Sequence, residues 1–292
     1  MSLQIAAENM PPVTFARSVD EALALLDRHR DEARLVAGAT WLMRAESRGE
    51  KLPAMLVSLE RVEGAGEIAG RDGGWTIGPM VTHETLAARF GSAGGLRVLG
   101  QAAADSANPG VRRLATIGGN LATADFAAAD LVPALLALDA TIVVATPAGT
   151  ESLSVEDFIA GRASRAGPFV VTRIDLDDAA GLSAHARLTM RRAGEYPVAI
   201  ASVSVRLAAD QRIEAAKIAI GSVEPSACRW RELENALVGK RLDLAEIEAA
   251  ARVSLASLAP RDGVDAPAWY RLEVVPHLVR QAFADISSQV GG

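Results

Sequence analysis

Between residues 19 and 29 the apolar side chains fall at positions 19, 22, 23, 25 and 26, one face of a 3.6-residue helix. Ser18 stands in front of them as a natural N-cap, so the first predicted element is a capped amphipathic helix. Short apolar runs at 34–37 and 55–59 read as buried strands, and the small residues Gly38-Ala39-Thr40 turn the first of them into a second helical stretch. Gly70-Arg71-Asp72-Gly73-Gly74 punctuates a hairpin into a strand over 75–78, Thr82-His83-Glu84 opens a helix running through Arg89, and an alanine-rich helix covers 96–107 until Asn108-Pro109-Gly110 breaks it. A helix ending near Leu138, a strand over 140–145, a turn at Pro147-Ala148-Gly149, a short capped helix at 154–158 and a strand over 169–176 follow. The polar segment 177–181 reads as a linker. Beyond it, alternation over 185–191, 198–207 and 213–220 predicts a three-stranded antiparallel sheet, with helices over 232–238, 244–258 and 269–286 packed on it.

Composition narrows this picture. A chain of 292 residues, half of them hydrophobic, buries a substantial core and divides into two or three domains. The net charge of -6, with acidic and basic residues interspersed, offers no basic face and argues against a nucleic-acid partner. No apolar run approaches the roughly 20 residues that span a bilayer. The stretch from Met1 to Pro12 carries Glu8 and no charged-then-apolar signal pattern, so a cytoplasmic location is expected. Cys228 is the single cysteine, so these residues form no internal disulfide, Cys-ligated iron–sulfur cluster or Cys-rich zinc site. The four histidines are scattered at 29, 83, 185 and 277, with no nucleophile–base set; His83 reads as a first-turn or cap residue.

The chemistry concentrates in glycine-bearing turns. In Ala115-Thr116-Ile117-Gly118-Gly119-Asn120-Leu121 two adjacent glycines allow a tight turn whose successive N–H groups point at one anion, with the Thr116 hydroxyl and the Asn120 amide beside it. A Gly-Gly hairpin turn accounts for the same spacing. Asp130 is placed either to cap the following helix or to accept from a ligand hydroxyl. Gly38-Ala39-Thr40, at the junction of a strand and a helix start, is a second place for a phosphate, or simply a helix start. Gly64-Ala65-Gly66-Glu67-Ile68-Ala69 fits the letters of a dinucleotide fingerprint but leads into a hairpin where the fingerprint needs a helix.

The order Val36-Ala37-Gly38-Ala39-Thr40-Trp41-Leu42, Ile77-Gly78-Pro79-Met80-Val81-Thr82-His83, the Thr116-to-Asn120 element with Asp130-Leu131-Val132-Pro133, and Arg191-Arg192-Ala193-Gly194-Glu195-Tyr196 resembles the FAD-binding medium subunits of molybdenum hydroxylases. These belong to the carbon monoxide dehydrogenase and xanthine dehydrogenase family, and the resemblance covers nearly the whole chain. It implies an α+β fold: a two-part FAD-binding region of the vanillyl-alcohol-oxidase (PCMH) type over 1–59 and 60–178, then a C-terminal flavoprotein domain over 182–288 with a three-stranded antiparallel sheet and a helix bundle. Val36, Ala37, Gly38, Ala39, Thr40, Trp41 and Leu42 would form the first FAD loop, and Thr116, Ile117, Gly118, Gly119 and Asn120 the second, together gripping the pyrophosphate. Asp130 would bond the cofactor's sugar portion, Ile174 would lie near the flavin or adenine end, and Arg187 matches a position often held by Lys. Four features depart from the family pattern. Ala39 stands where Gly is common, Trp41 is bulkier than usual, His185-Ala186-Arg187 replaces Tyr-x-Lys, and 123–129 is one residue longer and lacks a Pro.

The family mechanism places a molybdenum cofactor on a large subunit and two 2Fe-2S clusters on a small subunit. This chain would relay their electrons through FAD to an external acceptor, with no catalytic acid or base of its own, in a dimer of heterotrimers. A FAD-binding assembly subunit without turnover and a stand-alone flavin oxidase are the alternatives. The latter is weakened because no histidine or cysteine set is arranged for covalent flavin attachment.

Overall fold

The computed structural model describes residues 11–92, 94–178, 180–190 and 196–290. Ser18 accepts from the Glu21 N–H, and Asp20 and Glu21 in the first turn complement the helix dipole, so α1 (Val19–His29) starts where its pattern predicts. Its buried Ala22, Leu23 and Leu26 pack on a three-stranded parallel sheet ordered β1 (Val13–Phe15), β3 (Met55–Ser58), β2 (Ala33–Val36). The helical stretch expected after Leu42 is instead two single 3-10 turns, Leu42–Arg44 and Glu46–Arg48, ended by Gly49 with φ 73°. The core of this small unit is completed by Ala145 and Val170 from the next one.

The second unit is a five-stranded antiparallel sheet ordered β4 (Ile68–Arg71), β5 (Gly74–Ile77), β8 (Val170–Asp177), β6 (Thr141–Thr146), β7 (Gly149–Ser154). The glycine-rich 64–69 segment therefore leads into the β4–β5 hairpin and not into a helix. The edge strand β7, with sequence Gly-Thr-Glu-Ser-Leu-Ser, is absent from the prediction because it lacks the branched apolar residues that mark a strand. Among the described residues six α-helices complete this unit: α2 (His83–Phe90), α3 (Arg97–Asp105), α4 (Pro109–Arg112), α5 (Ile117–Ala122), α6 (Leu131–Ala137) and α7 (Val155–Gly161). Every residue of α6 is buried, which makes it the hub of the main core together with Leu86, Leu99, Ile117 and Ile142.

The third unit contains the three predicted strands β9 (Leu182–Thr189), β10 (Pro197–Leu207) and β11 (Ile213–Gly221). A two-residue strand β12 (Cys228–Arg229) extends the sheet to four. The helices α8 (Arg231–Leu237), α9 (Leu244–Ser254) and α10 (Ala268–Val290) share a core with this sheet. Strand alternation decides what β9 shows to each side. Ala184 and Ala186 enter the helix-backed core. Ser183, His185 and Arg187 turn the other way and reach α3 and Asp130. Arg191 to Glu195 of the sequence motif lie outside the described residues.

Candidate functional site

Where β2 ends at Val36, the chain reverses through Ala39, whose φ of 57° lies in the left-handed region that glycine favours. Met43 donates back to the Ala39 carbonyl at 2.8 Å and Arg44 to that of Trp41 at 3.1 Å, which winds 39–44 into a tight turn. The backbone N–H groups of Gly38, Ala39, Thr40, Trp41 and Leu42 have no hydrogen-bond partner among the described residues. A left-handed residue ahead of a helical turn, with successive N–H groups left over, forms a concavity that binds anions. Gly38 is required for a separate reason: a Cβ there would collide with the carbonyl oxygen of Leu114, so this loop presses directly on the approach to the second one.

The second loop is built differently from an open anion cradle. Thr116–Asn120 is neither a hairpin turn nor an open cradle, but the capped start of α5. The Thr116 Oγ1 accepts from the Gly119 N–H at 3.1 Å, while Ile117 donates to Val81, Gly118 to Pro79 and Asn120 to Thr116, each at 2.9 Å. The N–H groups of Ile117, Gly118, Gly119 and Asn120 are thus committed within the protein. A Cβ on Gly118 would lie 2.6 Å from that of Pro79, and one on Gly119 would lie 3.7 Å from that of Ala37. Gly118 thus lets the second loop back onto Pro79, while at Gly119 the tight neighbour is the Thr116 hydroxyl, 3.1 Å from such a Cβ. Asn120 Oδ1 accepts from the Leu131 N–H at 3.2 Å and so caps α6.

That capping resolves the two readings of Asp130, which makes no cap bond of its own. Its carboxylate is 2% exposed as a residue and faces β9. Arg187 Nε lies 2.9 Å from Asp130 Oδ1, and a second guanidinium nitrogen of Arg187 donates to the Asp105 carbonyl. His185 Nε2 lies 3.9 Å from the same Oδ1, and its Nδ1 is 2.9 Å from Ser202 Oγ.

Above the first loop Trp41 packs on Phe126 at 4.5 Å between ring centroids, and Phe126 packs edge-on to Tyr196 at 5.0 Å. Arg48 stacks over Trp41 at 4.0 Å, and Arg44 donates to the Tyr196 hydroxyl at 2.7 Å. The bulk of Trp41 is therefore used to tie the loop to the other two units. Phe126, Arg44 and Arg48 carry no local motif, and nothing in their sequence spacing announces this contact.

Ile174 does not join the loops. It is fully buried in the centre of the five-stranded sheet, paired with Ile77 and Ile142, with no surface to offer a ligand. His83 lies behind the second loop, where Thr82 and not His83 caps α2, and its Nδ1 is 2.7 Å from Ser106 Oγ. Burial pushes its pKa down to about 4, so it is neutral at physiological pH. Burial likewise pushes the Cys228 thiol up to about 12, which makes it a poor nucleophile. Among the described residues no group of three or more His, Cys, Asp or Glu could hold a metal.

A loop of unspent backbone donors, a buried carboxylate and an aromatic wall lie together where three units meet, an arrangement suited to holding an anionic, ring-bearing ligand. Residues 7–176 match the FAD binding domain in molybdopterin dehydrogenase, and residues 184–286 match the CO dehydrogenase flavoprotein C-terminal domain. The chain belongs to this family of FAD-binding molybdenum hydroxylase subunits. It is 30% identical over 282 residues to the 6-hydroxypseudooxynicotine dehydrogenase complex subunit alpha of Paenarthrobacter nicotinovorans, covering 94% of this chain and 95% of that one. It is 27% identical over 274 residues to the carbon monoxide dehydrogenase medium chain of Afipia carboxidovorans, covering 91% and 93%. Among solved structures, quinoline 2-oxidoreductase from Pseudomonas putida superposes with a TM-score of 0.86 at 27% identity, covering 96% of this chain and 97% of that one. These relatives are chains of multi-subunit complexes. No helix among the described residues is long and apolar enough to cross a membrane.

Proposed function

We propose that this chain holds FAD in a cytoplasmic molybdenum hydroxylase whose molybdenum cofactor sits on a large subunit and whose two 2Fe-2S clusters sit on a small one, the whole duplicated as a dimer of heterotrimers. Bound FAD supplies a carrier that takes up electrons and passes them to an external acceptor. The observation that supports this most is the row of unspent N–H groups over Gly38–Leu42, next to the left-handed Ala39. Those donors would hold the pyrophosphate, with Val36 and Ala37 fixing the loop's exit from β2. Thr116, Ile117, Gly118, Gly119 and Asn120 would brace that loop and position Asp130, and Asp130 and Arg187 would set the sugar portion. Trp41 would keep water off the loop from above. The proposed division is 1–59 and 60–178 for the two FAD-binding parts and 182–288 for the C-terminal domain.

The test is direct. Purified chain, alone or with its subunits, should be yellow and release intact FAD on acid denaturation, and Gly119→Asp should abolish binding. The added carboxylate would stand between Ala37 and the Thr116 hydroxyl, prising the loops apart and placing negative charge beside the anion site. A folded Gly119→Asp protein with unchanged FAD affinity would remove the second loop from the site. Colourless protein that no addition of FAD reconstitutes, in the isolated chain and in the complex, would overturn the reading itself.

A further inference from the structure

His185 is spent on nothing that the FAD reading requires, yet its surroundings are highly specified. Its side chain is fully buried, its backbone N–H donates to Gln101 Oε1 at 2.9 Å, and its Nδ1 is held 2.9 Å from Ser202 Oγ. These anchors fix the ring, and the ring aims Nε2 at Asp130. Nε2 has no hydrogen-bond partner among the described residues. A buried ring nitrogen without a partner carries its full desolvation cost, which is why such groups are scarce in native proteins.

The distance between His185 Nε2 and Asp130 Oδ1 is 3.9 Å, too long for a hydrogen bond. One oxygen at ordinary hydrogen-bond length from each atom spans a gap of this size. A hydroxyl suits the pair chemically, since it can donate to the carboxylate and accept from a ring N–H. Of the three side chains gathered here, Arg187 has the most exposed surface, 12% against 3% for Asp130 and 0% for His185. Its Nε lies 2.9 Å from the same Oδ1, so it borders the gap on the more exposed side. The position is continuous with the anion loop, through Gly119 against Ala37 and Asn120 capping the helix that Asp130 precedes.

We propose that His185 and Asp130 form a subsite for one sugar hydroxyl of the bound dinucleotide, with His185 as a direct ligand contact supplied by the C-terminal domain. This rests on the FAD reading above. The shared chemistry is a secondary hydroxyl, which FAD carries both on its ribityl chain and on its adenosine ribose.

The experiment titrates the FAD-free full chain, or the FAD-depleted complex, with FAD, a ribityl-deoxy analogue and a 2′-deoxyadenosine analogue, following flavin fluorescence. The unaltered protein should bind one of the two analogues about tenfold more weakly than FAD, the loss of one hydrogen bond to a charged or buried partner, and that analogue identifies the hydroxyl. His185→Ala should weaken FAD and distinguish that analogue less than the unaltered protein does, because only Asp130 is left to bond the hydroxyl, whereas His185→Gln, which keeps a donor and an acceptor, should restore part of the lost discrimination. A loss of packing alone would weaken all three ligands together and leave their ratios unchanged. If the unaltered protein binds FAD yet distinguishes neither analogue, or if a folded His185→Ala protein discriminates as the unaltered one does, the subsite is wrong while the FAD reading stands. If no form of the protein binds FAD, both fall.

Discussion

Ala39 shows how a single residue can be read two ways. In the sequence it departs from the family's glycine, and in the structure it adopts the conformation that makes glycine common there, φ 57°. Left-handed backbone costs an L-residue roughly 1–2 kcal/mol, and glycine's greater freedom in the unfolded chain returns about 0.4–1 of that. Ala39→Gly should therefore be neutral to stabilising by up to about 1.5 kcal/mol in urea unfolding, with FAD affinity retained. Ala39→Val, branched at Cβ, should destabilise and weaken FAD together; unchanged affinity in Ala39→Val would mean that this turn does not hold the anion. His83 makes a pH prediction. Its folded pKa of about 4 lies below the ordinary 6.5, so below pH 6.5 the unfolded chain takes up a proton that the folded protein refuses. Stability contributed by this site is complete above pH 6.5 and falls between 6.5 and 4, by about 3 kcal/mol in total. His83→Gln should flatten that part of the stability–pH profile, and an unchanged slope would place its cause elsewhere.

At the scale of elements, periodic segments were legible and short or irregular ones were not. Val19–His29 was readable to the residue because Ser18 and the apolar face agree on one answer. The edge strands β1 and β7 were not, since three residues are too few for a period and Gly-Thr-Glu-Ser-Leu-Ser has almost no strand preference. The turn at 116–120 was legible as a special place, but its two glycines pointed to a ligand, whereas Gly118 lets α5 approach Pro79 and Gly119 sits close under the Thr116 hydroxyl. Only the tertiary partners Val81 and Pro79 reveal that its N–H groups are taken. The same packing makes Asn120 the cap of α6, and Asn120→Ala should cost about 1 kcal/mol of stability. It should also weaken FAD by loosening Asp130, checked by calorimetry and fluorescence titration. Lost stability with unchanged FAD affinity would separate α6 from the site.

For the molecule as a whole, the sequence announces the two loops but not the surface that joins them to the C-terminal sheet. The odd-numbered face of β9 meets the FAD-binding region through Ser183, His185 and Arg187, and Asp285 on α10 reaches Arg97 at 3.2 Å and Gln101 at 2.6 Å on α3. Such pairings depend on which elements the fold brings together, so no local pattern encodes them. The work of this assembled molecule is to bind FAD and relay electrons through it. The measurement that tests this most directly is anaerobic flavin bleaching in the purified chain, with and without the large and small subunits, on addition of purines, aldehydes or N-heterocycles. The flavin should stay oxidised in the isolated chain and be reduced only when both partners are present. Turnover of any of these substrates by the single chain with an acceptor, on the order of 1 per second or faster, would contradict the electron-relay account and make the chain a stand-alone oxidase.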